Sequence, residues 1–405
     1  MRAAIINTMD VKGGAARAAY RLHRGLRGVG VDSTYYVRDQ TATDPRIQRF
    51  IPDPSPAATA HRTAAKAGLR AAYDRYAATR SADIELFSQE RVDGDENVLV
   101  QLPRSEIVNL HWVAGFVDYP TFFSPRLRKP VVWTLYDMNP FTGGCHYDQY
   151  CGKFRDRCGA CPLLGSQDEG DLSRQVFEGK ENALRDWPTE MLHIVTPNRW
   201  LAQEARDSAL FARFGVSVIP NSLETEIFKP TSKAEARARL KLPQDATIVI
   251  FVSNHIRLAR KGFRELVQAL SLVPNIDNLL LLGVGDSHIL TAQAPFRVML
   301  AEHVNDDATM ALLYSAADVT ALPSRQDNLP NTILESFACG TPVVGFAEGG
   351  IPDSVREGET GFLGRAGSVP DLAVAFTAAL ADRERLQNIG RRARQVAETE
   401  YALAV

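Results

Sequence analysis

Residues 323–346 read PSRQDNLPNTILESFACGTPVVGF, and their pattern gives the clearest indication of the fold class. Pro330 suits the first turn of a helix, Gly340 suits its C-terminal cap, and Pro342 prevents the helix from continuing. The pattern therefore predicts a short helix over residues 330–339, followed by an apolar run that starts a new strand. A strand, a loop, a helix and a strand in this order are typical of an α/β fold.

Two carboxylates belong to this loop and helix. Asp327 lies in the loop, and Glu335 lies eight positions later within the predicted helix. Helical side chains lean towards the N-terminus, so the Glu335 carboxylate can point back towards the loop. The amides of Asn328 and Leu329 and the helix dipole suit an anion or sugar oxygens. A polyhydroxylated, phosphorylated ligand would satisfy both kinds of group, whereas the plainer alternative is a helix cap beside a solvated glutamate.

The alternation of strands and helices extends over the whole chain. Apolar runs such as AAIINT (3–8) and TIVIFVS (247–253) alternate with helical patterns, which predicts a doubly wound α/β fold with parallel sheets. Around residues 220–245 three prolines punctuate a polar stretch, which indicates a crossing between two domains. We expect the two sheets to face across a cleft, with the ligand at the carboxyl ends of the strands.

The position of this crossing sets the predicted domain boundaries. An N-terminal Rossmann-like domain covers residues 1–218 and carries a cysteine-rich insertion near 141–165. A second Rossmann-like domain covers residues 219–385. Residues 386–405 are predicted to form a C-terminal helix that can cross back to the first domain.

Composition excludes several classes of protein. The chain has 405 residues, of which 46 are Lys or Arg and 48 are Asp or Glu, so its formal net charge is −2. A charge this close to zero argues against a dedicated nucleic-acid binder, and 45% hydrophobic residues are typical of a folded globular protein. No run approaches the roughly 20 apolar residues that span a bilayer. The N-terminus lacks the apolar core of a signal peptide, so we expect a cytoplasmic location.

Glycines follow two of the predicted strands. Gly13 and Gly14 lie between the first strand and the first helix, where backbone amides can face a phosphate. This loop lacks the full GxGxxG fingerprint, so a tight turn is the alternative. Gly283 and Gly285 follow a leucine run in the second domain and are suited to support a base or a ribose.

Clustered cations follow the first strand of the second domain. The segment SNHIRLARKG, residues 253–262, contains Arg257, Arg260 and Lys261. Cations grouped at a strand end are suited to a diphosphate and would neutralise its charge as it departs. Solvated surface cations are the plainer alternative.

Two features of the first domain are weaker signals. His111, in NLHW, ends a predicted strand and is suited to position an acceptor, although a structural histidine is the alternative. Arg62, Lys66 and Arg70 lie four residues apart on one face of a predicted helix. Such a face can make peripheral contact with an anionic membrane surface, and a solvated face is the alternative.

Four of the five cysteines lie within 17 residues of one another. Five, six and two residues separate Cys145, Cys151, Cys158 and Cys161. In a reducing compartment this clustering suggests a metal before a disulfide. Four thiolates would form a closed tetrahedral site for a structural zinc ion, and the alternatives are two disulfides or an iron–sulfur cluster. Cys339 is most simply a small buried residue.

Taken together, these segments resemble the retaining family 4 glycosyltransferases of the two-Rossmann type called GT-B. The resemblance is closest to the polysaccharide-biosynthesis branch typified by colanic acid transferases, and it covers nearly the whole chain. Its most specific signature is an acidic residue and a glutamate separated by seven positions and followed by ACGTPVV. It also rests on the Gly13-Gly14 loop, HWVAGF, TLYDMNPFTGGCHY with the cysteines after it, IPNSLETEIFKP and RKG.

This resemblance implies a sugar transfer from a nucleoside-diphosphate sugar to a hydroxyl of a glycan, lipid-linked or small-molecule acceptor. The acceptor would bind on the side of the first domain, and the second domain would bind the donor. Arg260, Lys261 and the Gly14 loop would hold the diphosphate, and Glu335 would hold the ribose. Asp327 and the two amides after it would hold the transferred sugar. The family retains the anomeric configuration through an oxocarbenium-like state, and its leaving phosphate takes the acceptor proton without a catalytic metal.

Three positions depart from the family pattern. Asp327 replaces the usual glutamate, and Tyr136, which the resemblance places among the catalytic residues with Asp327, Lys261 and Arg260, stands where many relatives have a histidine after the strand equivalent to PVVWTL. Tyr136 can donate a hydrogen bond but cannot become cationic near neutral pH. The usual arginine falls at His255, with Arg257 the nearest substitute. Two alternatives therefore stay open, namely a sugar-nucleotide epimerase or hydrolase of the same fold, and a degenerate, non-catalytic sugar-nucleotide binder.

Overall fold

The chain folds into two compact units. The computed structural model describes residues 1–92, 97–256, 258–274, 278–286, 294–301, 304 and 306–405. The units are Met1–Pro220 and Asn221–Val405, so the division follows Pro220 rather than residue 218. Each unit is built on one parallel sheet.

The first unit has a seven-stranded sheet. Its strands are β1 (Arg2–Met9), β2 (Asp32–Asp39), β3 (Ile47–Arg49), β4 (Ile107–Leu110), β5 (Val131–Thr134), β6 (Leu192–Thr196) and β7 (Gly215–Val218). Its helices are α1 (Gly14–Gly28), α2 (Pro56–Asp74), α3 (Asn97–Val100), α4 (Tyr119–Phe122), α5 (Leu172–Leu184) and α6 (Arg199–Asp207). The hydrogen-bonded order is β3-β2-β1-β4-β5-β6-β7, and the pairs are parallel. Residues 3–8 of β1 are buried because this central strand is covered on both faces.

The second unit has a six-stranded sheet. Its strands are β8 (Thr247–His255), β9 (Leu279–Asp286), β10 (Arg297–Ala301), β11 (Val319–Leu322), β12 (Val343–Ala347) and β13 (Gly361–Arg365). Its helices are α7 (Lys233–Arg239), α8 (Phe263–Ser271), α9 (Asp307–Ala316), α10 (Asn331–Ala338), α11 (Ile351–Ser354), α12 (Val369–Leu380) and α13 (Arg383–Glu400). The hydrogen-bonded order is β10-β9-β8-β11-β12-β13, again with parallel pairs.

Apolar side chains cover both faces of the second sheet. Ile248 and Ile250 of β8 belong to one buried cluster, and the alternate residues Val249 and Phe251 belong to another. Successive side chains of a strand point to opposite faces, so helices must cover the sheet on each side. This explains why the strand sequences are continuous apolar runs rather than alternating ones.

The strand orders create one switch point in each sheet. In the second unit the chain runs outward from β8 to β9 and β10, and it then returns to β11 on the other side of β8. In the first unit it runs from β1 to β2 and β3 and returns to β4 beside β1. Loops diverge at such a point and leave a crevice at the carboxyl ends of the strands, where ligands bind in folds of this kind.

The C-terminal residues form the predicted helix, as α13, and belong to the second unit. The apolar side of α13 is buried, and the Leu223 amide donates to the Tyr401 carbonyl at 2.8 Å. Arg394 Nη1 donates to the carbonyls of Phe228 and Ala338 at 2.7 and 2.8 Å. These contacts join α13 to the start and the middle of the unit, and residues 386–405, predicted as a helix that can cross back, are therefore assigned to it.

Candidate functional site

The loop after β8 packs directly on the loop after β11. Ala259–Lys261 form a 3-10 turn that ends at Gly262, whose φ is 72°. A Cβ atom on Gly262 would lie 1.9 Å from the carbonyl oxygen of Pro323, so only glycine fits there. The Arg325 amide also donates to the Arg260 carbonyl at 2.7 Å. The two loops are thus held together at the switch point of the second sheet.

Asp327 and the two predicted phosphate-binding cations form one cluster at this junction. Lys261 Nζ lies 2.6 Å from Asp327 Oδ2, and Arg260 Nη1 lies 3.3 Å from the same oxygen. Arg260 Nη1 also donates to the Gln326 carbonyl at 2.8 Å. Burial raises the pKa of Asp327, but the charges of Lys261 and Arg260 outweigh burial and hold that pKa well below its usual value. The carboxylate is therefore ionised, and it fixes two cationic heads at one point.

Glu335 is a buried residue and not a solvated one. It lies within α10, and its side chain is only 5% exposed. Tyr314, near the end of α9, is fully buried and donates its hydroxyl to Glu335 Oε2 at 3.3 Å. This hydrogen bond orients the carboxylate. The solvated-glutamate alternative from the sequence is therefore wrong for this position.

The backbone around Asp327 forms a closed turn. The Asn328 amide, predicted to hold a sugar, donates to Asp327 Oδ1 at 3.1 Å, and the Leu329 side chain is buried in the core. The Gly350 amide donates to the Asp327 carbonyl at 3.0 Å, and a Cβ atom on Gly349 would lie 2.1 Å from that oxygen. Gly349 and Gly350 are not among the residues predicted from the sequence, although a glycine pair shortly after the strand β12 was a usable signal.

The other predicted donor residues of the second unit have a packing role in the structure. Gly285 has a φ of 140°, and a Cβ atom there would lie 1.8 Å from the Ser253 carbonyl oxygen. A Cβ atom on Gly283 would meet Leu300 at 2.8 Å. Both glycines therefore allow β9 to pack closely on its neighbours, and a contact with a base or ribose stays a prediction. Arg257 lies outside the described residues.

The glycine loop of the first unit begins from a buried anchor that the sequence analysis did not identify. Asp10, directly after β1, accepts hydrogen bonds from the amides of Thr41 and Ala42 at 2.5 and 2.6 Å. Burial raises the pKa of Asp10, but these backbone hydrogen bonds lower it by a larger amount. The pKa therefore lies below its usual value, and the carboxylate is ionised. Gly13 caps α1 with a φ of 97°, and Gly14 starts the helix. The loop therefore forms a tight turn, and the N-terminus of α1 lies beside it.

His111 and Tyr136 form a pair that the sequence did not predict. They follow β4 and β5, their rings stack with centroids 5.6 Å apart, and His111 Nδ1 lies 2.9 Å from the Tyr136 hydroxyl. Burial lowers the pKa of His111 to about 3 and raises the pKa of Tyr136. Both rings are therefore neutral near pH 7. Tyr136 is partly exposed, whereas His111 is buried. The acceptor role of His111 therefore stays a prediction.

The buried histidines predict a pH dependence of stability. The folded-state pKa of His111 lies below the unfolded value near 6.5, so between these values only the unfolded chain takes up the proton. The contribution of the neutral imidazole to the free energy of unfolding is complete above about pH 6.5 and is lost as the pH falls towards 3. His23, whose pKa burial lowers to about 4, acts in the same direction. Replacing His111 with Gln should reduce the loss of unfolding free energy between pH 7 and 5 by up to about 1.4 kcal/mol per pH unit.

Urea unfolding of both proteins at several pH values measures this difference. His61→Gln, at an exposed position of α2, is the matched control and should leave the wild-type slope unchanged. An unaltered slope in the His111 variant would contradict the assignment of a buried, neutral imidazole.

The four clustered cysteines lie in one folded segment. Cys145 and Cys161 are buried in the same apolar cluster, whereas Cys151 and Cys158 are partly exposed. All four are free thiols, and burial raises the pKa of each, that of Cys158 to about 12. Among the described residues, no three His, Cys, Asp or Glu side chains are placed to hold one metal ion. The thiols as they stand do not form a metal site, and zinc stays a prediction.

Metal analysis of the purified chain tests the zinc prediction. Zinc binding would require the four sulfurs to lose their protons and draw together around the ion. The prediction is about one zinc per chain, lost when Cys158 and Cys161 are replaced with Ser. Replacing Cys339, which lies in the other unit, with Ser is the control and should leave the metal content unchanged. Less than about half an equivalent of zinc would contradict the prediction. Iron in its place would indicate an iron–sulfur cluster, and neither metal together with no free thiols would indicate disulfides.

Residues 232–396 match the family model described as glycosyl transferases group 1. The matched residues lie within the second unit and include Arg260, Lys261, Asp327 and Glu335. The family match therefore falls on the unit that contains the charged cluster.

Curated relatives match over part of their length. A D-inositol 3-phosphate glycosyltransferase from Acidothermus cellulolyticus is 34% identical over 36% of this chain and 36% of its own. An N-acetyl-alpha-D-glucosaminyl L-malate synthase from Bacillus anthracis is 26% identical over 44% of this chain and 48% of its own. Another inositol 3-phosphate enzyme, from Streptosporangium roseum, is 29% identical over 64% of this chain and 58% of its own. The chain thus spans between about a third and three-fifths of the relatives it matches.

Solved structures match over the whole chain. Sucrose-phosphate synthase from Thermosynechococcus elongatus has a TM-score of 0.67 at 19% identity and covers 99% of this chain and 95% of its own. Anabaena Alr3699/HepE, solved with UDP and glucose, has a TM-score of 0.65 at 16% identity and covers 100% and 96%. The predicted fold class is confirmed, because the chain has the two Rossmann-like units of the GT-B fold.

Proposed function

We propose that this protein is a retaining glycosyltransferase that moves a sugar from a nucleoside-diphosphate sugar to a hydroxyl of a glycan, lipid-linked or small-molecule acceptor. The observation that carries the proposal is the cluster of Lys261, Arg260 and Asp327 at the switch point of the second sheet. The cluster lies in the segment that matches group 1 glycosyl transferases. Its placement in the polysaccharide-biosynthesis branch rests on the sequence resemblance.

Each group of the cluster has a role in this proposal. Lys261 and Arg260 neutralise the diphosphate of the donor and stabilise the charge that develops when it leaves. Asp327 fixes the positions of both cations and accepts hydrogen bonds from the transferred sugar. Glu335, oriented by Tyr314, accepts hydrogen bonds from the ribose hydroxyls. The diphosphate oxygen that departs takes the proton of the acceptor hydroxyl, so the scheme needs no catalytic metal.

The names of the relatives guide the choice of substrates. The curated relatives are named for inositol 3-phosphate and for L-malate, and one structural neighbour was solved with UDP-glucose. The UDP-glucose bound to that neighbour supports a UDP-sugar as the first donor to test. Transfer needs an acceptor, whereas an epimerase or hydrolase would consume the donor alone and a degenerate binder would not consume it.

Contact with a membrane surface stays a prediction. None of the described residues belongs to a helix with the length and hydropathy needed to cross a bilayer. Helix α2 buries none of its residues, and Arg70 pairs with Asp74 at 3.2 Å. Its remaining basic side chains give a positive face that suits anionic lipid.

A thermal-shift panel of UDP-, GDP-, ADP- and dTDP-sugars tests the proposal. A ligand that binds only the folded state raises the melting temperature, by an amount that grows with its concentration relative to Kd. We expect one nucleotide class to raise the melting temperature and its sugar to be consumed when an acceptor is present. If no member of the panel shifts the transition, the proposed function is wrong.

A further inference from the structure

A connected set of polar side chains lies at the carboxyl edge of the first sheet. Asp137, three residues after β5, accepts hydrogen bonds at Oδ2 from Trp112 Nε1 at 2.8 Å and from His146 Nδ1 at 2.6 Å. Its Oδ1 accepts the Asn139 amide at 3.0 Å. Burial raises the pKa of Asp137, but the charge and hydrogen bond of His146 outweigh burial and lower it. Asp137 is therefore an ionised group that can only accept hydrogen bonds.

The carboxylate also orients the imidazole of His146. Because Asp137 accepts only, His146 donates to it through Nδ1. Ser88 Oγ lies 2.8 Å from His146 Nε2, and the two atoms share a hydrogen bond. A hydroxyl can donate one hydrogen bond and accept others, so Ser88 Oγ can also bond to a hydroxyl that comes from outside the protein. Ser88 is partly exposed, whereas His146 is 3% exposed.

The indole of Trp112 is fixed beside the same imidazole. The Trp112 amide donates to Asn7 Oδ1, and the Thr8 amide donates to the Trp112 carbonyl, each at 2.8 Å. The Trp112 and His146 rings have centroids 5.7 Å apart. Trp112 is partly exposed and follows β4 by two residues, at the switch point of the first sheet. A rigid aromatic ring and a hydroxyl thus share one support at the edge of the sheet where ligands bind in folds of this kind.

We propose that Trp112 and Ser88 form an acceptor subsite for a neutral pyranose ring. The apolar face of the sugar packs on the indole, and one sugar hydroxyl bonds to Ser88 Oγ. Neither Trp112 nor Ser88 carries a charge, so these two side chains offer no cation to a phosphate or carboxylate on the acceptor. This inference rests on the proposed function and deepens it, because it selects a carbohydrate acceptor over inositol phosphates and hydroxy acids.

Saturation-transfer NMR on the full chain tests the subsite. The probes are the methyl pyranosides of glucose, galactose and mannose, with inositol 3-phosphate and L-malate as charged comparisons. We expect saturation transfer to the ring protons of at least one pyranoside. Trp112→Leu should weaken its binding at least about tenfold, since stacking and apolar contact are both lost. Ser88→Ala should weaken it by about two- to tenfold, and Ser88→Thr, which keeps the hydroxyl, should restore it.

Two further variants separate this subsite from the donor site and from folding. Tyr150→Leu removes an aromatic side chain that is 63% exposed in the same unit, and it should leave pyranoside binding unchanged. Lys261→Ala should lose the nucleotide thermal shift but keep the pyranoside signal, whereas Trp112→Leu should do the reverse. If Trp112→Leu does not fold, Trp112→Phe keeps a ring, loses the hydrogen bond to Asp137, and should give an intermediate loss.

Three outcomes would overturn the inference. The first is binding of inositol 3-phosphate or L-malate without binding of any pyranoside. The second is equal pyranoside binding by the wild type and the folded Trp112 variants. The third is the absence of any signal from all five probes while nucleotide binding is intact, which would leave the proposed donor function standing and remove the subsite.

Discussion

Replacing Lys261 with Ala is expected to lower the rate of sugar transfer by about two to three orders of magnitude, the usual effect of removing one group that stabilises a developing anion. Lys261 is the closest cation to Asp327, at 2.6 Å, and its side chain is only 22% exposed. Its removal leaves the departing diphosphate with one fewer cation. It also removes the shorter of the two ion pairs of Asp327 and keeps the one with Arg260, so the sugar-binding carboxylate loses part of its orientation.

Initial rates at saturating donor and acceptor measure this loss. Lys261→Arg keeps the charge on a longer, planar head and should retain a larger part of the activity. Lys229→Ala removes an exposed lysine of the same unit and should match the wild type. Near-normal transfer by a well-folded Lys261→Ala protein would show that the cluster has no part in catalysis.

Replacing Glu335 with Gln is expected to weaken nucleotide binding by about ten- to a hundredfold. A hydrogen bond to a charged group contributes about 1.5–3 kcal/mol, and Gln presents a neutral acceptor of the same size. The effect should depend on the ribose hydroxyls. The wild type should therefore prefer a ribonucleotide to its 2′-deoxy form, and the variant should lose most of this preference.

Calorimetric titration with UDP and with 2′-deoxy-UDP measures the preference. Tyr314→Phe removes only the hydroxyl that donates to Glu335 and should reduce the preference by a smaller factor. Glu235→Gln, at an exposed position in the first turn of α7, is the matched control. If Glu335→Gln binds both nucleotides as the wild type does, the ribose role is wrong.

The sequence predicts the central strands and the edge strand β7, as VSVIP (216–220), but it misses the other three edge strands. The run TIVIFVS lies in β8, which is hydrogen-bonded on both sides and covered on both faces, so its composition is apolar throughout. The strands β3, β10 and β13 are absent from the sequence prediction, and all three lie at sheet edges. Edge strands have one neighbour and tolerate polar residues, so Ile47–Arg49 has two exposed positions and carries little signal.

Pro330, Gly340 and Pro342 predict both ends of α10 to within one residue. The predicted helix covers residues 330–339, and the structure has it at Asn331–Ala338 with Pro330 as the N-cap. Gly340 follows with a φ of 74°, as a helix C-terminus requires. These positions depend on the conformations that Pro and Gly allow, which are properties of the residue types themselves.

Contacts between distant segments could not be predicted in the same way. Lys261 and Asp327 are 66 positions apart, and they meet because β8 and β11 are neighbours in the sheet. Ser88 and His146 are 58 positions apart and meet across a loop that has no regular pattern. The sequence identified Asp327 and Lys261 as separate candidates, but only the strand order brings them to one site.

The most direct test of the donor site is a structure of the full chain with the nucleoside-diphosphate sugar that the thermal-shift panel selects. We expect diphosphate oxygens within hydrogen-bonding distance of Lys261 Nζ and Arg260, with a ribose hydroxyl on the Glu335 carboxylate. A nucleotide bound elsewhere, with Lys261 contacting Asp327 and no phosphate oxygen, would contradict it.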